Sequence, residues 1–215
     1  MKIQNGSKLL FIGDSITDAG RSDSGEPTPW DAGSGLGQGY VSFVNAIITA
    51  QTPEKDIRVI NKGISGNTVL DLESRWDTDV LAHQPTWLSV MIGINDVWRQ
   101  FDTPLRTEAH VGAQLYEETL RALLKKTRPS LSGLVLMTPY VIDSNTQDAM
   151  RQRMDEYGRI VKQLAQELDA IFVDTQFAID AVLRSIHPTS LAWDRIHPGP
   201  VGHMILARAF MSAVQ

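Results

Sequence analysis

Two groups of residues at opposite ends of the chain carry side chains that can act together in nucleophilic chemistry. Ser15 follows Gly13-Asp14 near the start, and Asp194 lies three residues before His197 near the end. A serine hydroxyl is a weak nucleophile until a base takes its proton, and histidine can do this near neutral pH. An aspartate beside the histidine fixes its tautomer and stabilises the imidazolium. Ser15, His197 and Asp194 are therefore the candidate nucleophile, base and orienting acid.

The same chemistry needs hydrogen-bond donors for the negative oxygen of a tetrahedral intermediate. The candidates are the backbone N–H of Ser15, the backbone N–H of Gly66 and the side-chain amide of Asn95. A glycine lets the backbone approach a substrate closely. Removing one donor of this kind typically costs roughly 2.7–4 kcal/mol of transition-state stabilisation.

These groups can meet only if the fold brings them to one edge. Five short apolar runs alternate with longer segments of helical spacing, which predicts parallel strands covered by helices on both faces. The predicted architecture is a three-layer α/β/α sandwich, flavodoxin-like, with a central parallel sheet of about five strands in one domain, residues 1–215. In such sheets ligands bind at the carboxyl ends of the strands. The predicted strands are Leu9–Gly13, Ile57–Asn61, Trp87–Gly93, Leu134–Pro139 and Ala170–Asp174.

Helical patterns fill the intervals between the apolar runs. In the long segment that begins at Gln147, apolar residues recur every three or four positions, as on the buried face of a helix. The spacing of Asp194 and His197 also predicts one helical turn that presents both side chains on one side. The predicted helices are Tyr40–Ala50, Val69–Ala82, Glu108–Arg128, Gln147–Leu168, Phe177–Ser185 and Val201–Ala213.

Composition excludes several classes of protein. The chain has 215 residues, no cysteine and a formal net charge of −5. An acidic chain without a Lys/Arg run is not expected to bind nucleic acid, and without cysteine there is no disulfide or thiolate chemistry. No apolar stretch is long enough for a membrane span, and Leu9–Ile12 is too short for a signal-peptide core. We expect a cytoplasmic protein with no membrane partner and, because no histidine has metal-ligand spacing, no metal.

In order along the chain, the blocks Gly-Asp-Ser, Gly-Ile-Ser-Gly, Gly-Ile-Asn-Asp and Asp-Arg-Ile-His resemble the four sequence blocks of the SGNH hydrolases, also called GDSL esterases. Any single block is a weak signal, whereas four in order are specific. The resemblance implies Ser15 as nucleophile, Gly66 and Asn95 as oxyanion donors, and Asp194 and His197 as the rest of the triad. Ser15 is not in a Gly-x-Ser-x-Gly elbow, which disfavours an α/β-hydrolase.

Longer stretches are similar to bacterial acetylxylan esterases of this class, among them Met91–Gln100 and Leu191–Phe210. The similarity implies removal of acetyl groups from a small xylo-oligosaccharide or a related acetylated sugar, with no cofactor. It also implies a homo-oligomer, for which a ring-like octamer is one form.

Several residues near the four blocks are candidate substrate contacts. Aromatic rings can stack on a sugar and an arginine can donate to its hydroxyls; the alternatives are core packing or a subunit contact. Asp14 is assigned first to the turn that holds Ser15. The candidate contacts are Asp14, Trp98, Arg99, Tyr140 and Trp193, with Trp30 as a weaker one.

Other assignments of these residues stay open on sequence alone. Ser15 can be a capping serine, Asn95 a turn residue and His187 a rival base. The glycine-rich segment Gly33–Tyr40 lacks a P-loop ending and is interpreted as an active-site loop.

Three other functions compete with deacetylation of sugars. A lysophospholipase, thioesterase or short-chain arylesterase would keep the triad and change the substrate. A flavodoxin-like nucleotide-binding module would need a phosphate-binding loop, and this sequence lacks that motif. A carbohydrate-binding protein without catalytic activity would not need all three triad residues.

Overall fold

Five parallel strands form the centre of the molecule. The computed structural model describes residues 1–28 and 35–215. The strands are β1 Lys8–Gly13, β2 Arg58–Gly63, β3 Trp87–Met91, β4 Gly133–Met137 and β5 Ile171–Val173. They pair in the order β2-β1-β3-β4-β5. The predicted parallel sheet is confirmed, and β1 lies between β2 and β3.

One register line runs across the carboxyl ends of all five strands. Gly13 of β1 pairs with Gly63 of β2 and Met91 of β3, Met91 pairs with Met137 of β4, and Met137 pairs with Val173 of β5. The segments that follow the strands therefore leave the sheet at the same level. This common edge is where the parallel topology predicts a ligand site.

In the described residues, eight α-helices accompany the sheet. Seven of them pack in two groups, one of α2, α7 and α8 and the other of α3, α4, α5 and α6, which supply the outer layers of the sandwich. The helices are α1 Ser15–Asp18, α2 Tyr40–Gln51, α3 Val69–Asp79, α4 Ile94–Asp102, α5 Ala113–Thr127, α6 Ala149–Glu167, α7 Thr175–Leu183 and α8 Pro200–Val214.

Two of these helices were not predicted from the sequence. α1 is a single turn capped by Asp14, too short to show an apolar period. α4 begins directly after Gly93, and its first four residues, Ile94 to Val97, are all buried. Ile94, Val97, Trp98 and Phe101 do recur at helical spacing, but the helix is only nine residues long and two of its buried residues, Asn95 and Asp96, are polar.

One predicted helix begins later than expected. α5 starts at Ala113 with Gly112 as its N-cap, whereas Glu108 lies in a separate 3-10 turn at Thr107–Ala109. The other predicted helices agree with the structure to within a few residues at each end, where helix assignment is least certain.

The inner strands β1, β3 and β4 have almost no contact with solvent beyond Lys8. Leu9, Leu10, Phe11, Ile12 and Leu88 are each 0% exposed. Both faces of the inner strands are covered, as expected where helices lie on both sides of a parallel sheet. Among the described helices, none combines the length and the apolar composition needed to cross a membrane.

We expect Leu88→Ala to lower the free energy of unfolding by about 2–5 kcal/mol, because it leaves a cavity in β3, the central strand of the sheet. Leu105→Ala is the matched control, since Leu105 is 94% exposed and surface substitutions usually change stability by less than about 0.5 kcal/mol. Urea unfolding followed by circular dichroism measures both. Equal losses in the two variants would contradict the assignment of Leu88 to the core.

Candidate active site

Ser15 is placed by the end of β1 and the start of α1. Asp14 is the N-cap of α1, and its Oδ1 accepts the backbone N–H of Ile16 at 3.0 Å. A side chain at Gly13 would collide with the carbonyl oxygen of Met91 and with Thr17. Ser15 is the first residue of the helix, where backbone N–H groups have no acceptor within the helix. Its N–H and its hydroxyl are therefore both available at the common edge of the sheet.

The structure brings the two ends of the chain together at this serine. The Oγ of Ser15 lies 2.8 Å from Nε2 of His197, and Nδ1 of His197 lies 2.6 Å from Oδ2 of Asp194. Partial burial raises the pKa of the Asp194 carboxyl, but hydrogen bonds from the side chain and backbone of His197 and from the N–H of Ile196 outweigh it. The pKa of Asp194 is therefore below its ordinary value of 3.8, and the carboxylate is ionised at neutral pH.

The loop that carries Asp194 and His197 is not the helical turn expected from their spacing. Arg195 has a φ of +70°, which a right-handed turn excludes. Oδ1 of Asp194 instead accepts the backbone N–H groups of Ile196 and His197, each at 2.9 Å. The two side chains meet because the aspartate folds its own backbone into an Asx-type turn.

Arg195 anchors this loop to the rest of the protein. Its guanidinium lies 2.7 Å from a carboxylate oxygen of Asp143 and 2.8 Å from one of Asp148. Its carbonyl oxygen accepts the N–H of Ile142 at 2.8 Å. The histidine loop is thus attached to the segment between β4 and α6.

Gly66 occupies the loop between β2 and α3. Its φ is +85°, a conformation that other residues rarely adopt. Apart from its two chain neighbours, no atom of the described residues lies within 4 Å of the position that its Cβ would occupy. Asp18 of α1 holds the residue before it, accepting from the N–H of Ser65 at 3.0 Å and from its hydroxyl at 2.7 Å.

Asn95 is buried in the first turn of α4, with its amide directed at the Gly66 loop. Its Nδ2 donates to the carbonyl of Asn67 at 2.9 Å, and its Oδ1 accepts from Arg99 at 3.4 Å. An amide nitrogen carries two hydrogens, so a second N–H can serve a ligand. The residues predicted as oxyanion donors, Ser15, Gly66 and Asn95, lie at the start of α1, in the loop after β2 and at the start of α4, and hydrogen bonds link these segments.

Some of the predicted substrate contacts lie near the triad, and others do not. Trp98 lies beside the triad, its ring centroid 5.9 Å from that of His197, and Arg99 stacks on Trp98 at 4.7 Å. Arg99 also pairs with Asp102. Trp193 is 87% exposed next to Asp194. Trp30 and the Gly33–Ser34 part of the glycine-rich segment lie outside the described residues.

Tyr140 and Asp14 are not placed to touch a sugar. Tyr140 is 0% exposed and Asp14 is 1% exposed, which is incompatible with the predicted contacts. Asp14 instead caps α1, as the alternative assignment expected. His187 bonds to Thr189 through Nδ1, whereas His197 is the histidine that bonds to Ser15.

Sequence reasoning missed several residues that hold the site. Asp18 lies one helical turn after Ser15. Had helix α1 been predicted, its geometry would have placed Asp18 near the site. Asp96 accepts the N–H of Val69 at 3.0 Å, and Arg75 contacts the ends of β1 and β2. No spacing rule reveals these last two contacts, because each joins segments that only the folded sheet brings together.

A serine, histidine and aspartate in hydrogen-bonded sequence at the carboxyl edge of a parallel sheet define a serine hydrolase site. The profile of the GDSL-like Lipase/Acylhydrolase family matches residues 11–205. The chain therefore belongs to that family.

Relatives match over the whole chain. The acetylxylan esterase of Geobacillus stearothermophilus is 55% identical over 214 residues, covering 100% of this chain and 96% of the relative. The crystal structure of that esterase, Axe2, superposes with a TM-score of 0.96. The structure of LAE5, an alpha/beta hydrolase from the metagenome of Lake Arreo, is 48% identical with a TM-score of 0.96, covering 100% of this chain and 97% of LAE5.

Two carboxyl groups beneath the site are buried and carry raised pKa values. Burial raises the pKa of both Asp14 and Asp96 to about 7. A carboxyl group whose pKa is higher in the folded chain stabilises the folded state at pH values below its pKa in the unfolded chain. This contribution is lost as the pH rises through its pKa in the folded chain. Between about pH 4 and 7 these carboxyl groups should therefore lower stability as the pH increases.

Asp96→Asn should remove part of that pH dependence, because the amide keeps an oxygen for the N–H of Val69 and cannot ionise. We expect the melting temperature of the variant minus that of wild type to be larger at pH 8 than at pH 4.5. Each ~1 kcal/mol that ionisation of the buried Asp96 costs the wild type should add several degrees to this difference. Differential scanning calorimetry at the two pH values measures it. A constant difference would show that Asp96 has an ordinary pKa.

Proposed function

We propose that this protein is a serine esterase that removes acetyl groups from xylo-oligosaccharides or related acetylated sugars. The observation that carries the proposal is the hydrogen-bonded Ser15–His197–Asp194 set beside Gly66 and Asn95. The activity named for the relative at 55% identity supports acetylxylan as the class of substrate. No cofactor is needed for this chemistry.

The geometry supports the following mechanism. His197 takes the proton of Ser15 as the serine oxygen attacks the acetyl carbonyl. The N–H groups of Ser15 and Gly66 and the amide of Asn95 donate to the oxygen that becomes negative. The intermediate collapses as His197 returns the proton to the sugar oxygen, which leaves as an alcohol. In the second half of the reaction, His197 takes a proton from water as the water oxygen attacks the acetyl carbonyl on Ser15. The intermediate collapses as His197 returns that proton to the Ser15 oxygen, and the acetic acid that leaves ionises to acetate at neutral pH.

Asp194 has two roles in this mechanism. It accepts from Nδ1 of His197, which leaves Nε2 free to receive the proton of Ser15. It also stabilises the imidazolium while the tetrahedral intermediate exists. The lowered pKa of Asp194 keeps it charged throughout this cycle.

The alternative substrate is an ester with a longer acyl chain. An apolar cleft lies between α2, α7 and α8, lined by Phe43, Val182, Pro200, Val201, Met204, Ile205 and Arg208. Pro200 and Val201 follow His197 closely in the chain, so a long acyl group has an apolar surface to extend toward.

Cytoplasmic location and a ring-like homo-oligomer stay predictions of the sequence resemblance.

Acetate release from acetylated xylobiose, with p-nitrophenyl octanoate hydrolysis run beside it, tests the proposal. We expect rapid acetate release by wild type, weak turnover of octanoate, and loss of both activities in Ser15→Ala by a factor on the order of 10⁴ or more. Strong octanoate turnover without action on xylobiose would assign the enzyme to lipid or general esters. Undiminished hydrolysis by Ser15→Ala would reject Ser15 as the nucleophile.

Trp98 is the aromatic residue best placed to contact the sugar. We expect Trp98→Ala to raise KM for acetylated xylobiose by about 2–10-fold, the equivalent of an aromatic contact of roughly 0.5–1.5 kcal/mol. The KM for p-nitrophenyl acetate, which has no sugar ring, should change less. Trp193→Ala is the comparison variant at the exposed tryptophan. Equal losses on both substrates would mean that Trp98 acts through His197 rather than on the sugar.

A further inference from the structure

Arg75 connects the end of β1, just before Ser15, with the end of β2 and with the loop that carries Gly66. It lies on α3, and its side chain is 12% exposed. One Nη donates to the carbonyl of Gly13 at 3.0 Å, and the other donates to the carbonyl of Lys62 at 2.7 Å. Nε donates to Oδ1 of Asn67 at 2.7 Å.

Each of these acceptors lies next to part of the site. Gly13 is two residues before Ser15 in the chain, and Lys62 is the penultimate residue of β2. Asn67 follows Gly66 directly, and its carbonyl accepts the amide of Asn95. One guanidinium therefore sets the separation between the nucleophile turn and the Gly66 loop.

The Gly66 loop needs such support on the side that faces α3. Asp18 holds Ser65 on one side of Gly66, and Arg75 with Asn95 holds Asn67 on the other. Gly66 itself is exposed, and among residues 1–28 and 35–215 only its chain neighbours approach the position of its Cβ. Without a bond to Asn67, the orientation of the Gly66 N–H would depend on a glycine that adopts many backbone conformations.

We propose that Arg75 is a positioning residue for the oxyanion donors, acting through Asn67 on Gly66 and Asn95 and through Gly13 on Ser15. The proposal rests on the esterase function argued above. Donors of this kind act only when they are fixed where charge develops in the transition state, and a displacement of about 1 Å can cost a factor of ~100 in rate.

A guanidinium suits this position better than an ammonium. Its planar fork of five N–H donors reaches carbonyls in several directions from one rigid group. Asp79, one turn along α3, accepts from Nη1 at 2.8 Å and balances the charge of a largely buried arginine. Lysine would place a single nitrogen there and could not meet Gly13, Lys62 and Asn67 together.

A purely structural role for Arg75 makes a different prediction. Arg128 offers the comparison, because it also donates to backbone carbonyls, those of Leu168 at 2.8 Å and Leu131 at 3.1 Å. These carbonyls lie at the opposite edge of the sheet, since Leu131 comes just before β4. Arg128→Met should lower stability and leave kcat within about twofold of wild type.

The experiment measures kcat, KM and melting temperature on p-nitrophenyl acetate and acetylated xylobiose. The proteins are wild type, Ser15→Ala, Arg75→Ala, Arg75→Lys, Asn67→Ala and Arg128→Met. We expect Arg75→Ala to lower kcat by about 10–100-fold with KM changed less than about threefold, as for a loss confined to the transition state. Asn67→Ala should lower kcat in the same direction while keeping the bonds of Arg75 to Gly13 and Lys62.

Rescue separates positioning from general destabilisation. Low concentrations of guanidinium or methylguanidinium should restore part of the kcat of Arg75→Ala and none of the kcat of Ser15→Ala. Arg75→Lys should fall below wild type and recover little. If Arg75→Ala is too unstable to assay, Asn67→Ala carries the test, and a kcat equal to wild type there overturns the proposal.

Failure of this inference is distinguishable from failure of the esterase function. A wild type that releases acetate, with Ser15→Ala inactive and Arg75→Ala retaining kcat, rejects the role of Arg75 alone. A kcat loss without guanidinium rescue, matched by an equal loss in Arg128→Met, also rejects it. A wild type without esterase activity rejects the function first.

Discussion

The register of the parallel sheet is the constraint on which the site depends. Gly63, Gly13, Met91, Met137 and Val173 pair in one line across all five strands. Because parallel strands carry their loops at the same edge, the turn after β1, the loop after β2 and the start of α4 after β3 lie side by side. A slip of one residue in an inner strand would exchange the side chains on its two faces, and both faces are packed against helices. The packing that stabilises the sheet therefore also fixes the level of the loops.

Side-chain to backbone hydrogen bonds then set the finer geometry of the site. Asp14, Asp18, Asp96 and Asp194 each accept at least one backbone N–H, and Arg75 donates to backbone carbonyls. These bonds satisfy groups that loops leave without a partner in a helix or strand. The loops around Ser15, Gly66 and His197 therefore keep defined conformations without regular secondary structure.

Burial has an electrostatic consequence beneath the site. Asp14 and Asp96 lie out of contact with water, and the pKa of each is raised to about 7 by that burial. Asp194 lies nearer solvent and accepts from His197, which lowers its pKa. Carboxyl groups in one region thus differ in pKa because their surroundings differ: burial raises the pKa of Asp14 and Asp96, and hydrogen bonds lower that of Asp194.

The sequence by itself determined the class of fold and the residues that meet. Apolar runs of strand length placed all five strands. Residue type and the resemblance of four ordered blocks to the SGNH hydrolases made Ser15, Gly66, Asn95, Asp194 and His197 the candidate site residues. Only the tertiary structure decided how they meet. Asp194 reaches His197 through a non-helical turn, Tyr140 is buried, Trp98 lies against His197, and Arg75 joins segments far apart in the chain. Those outcomes depend on contacts between distant segments, which local spacing does not encode.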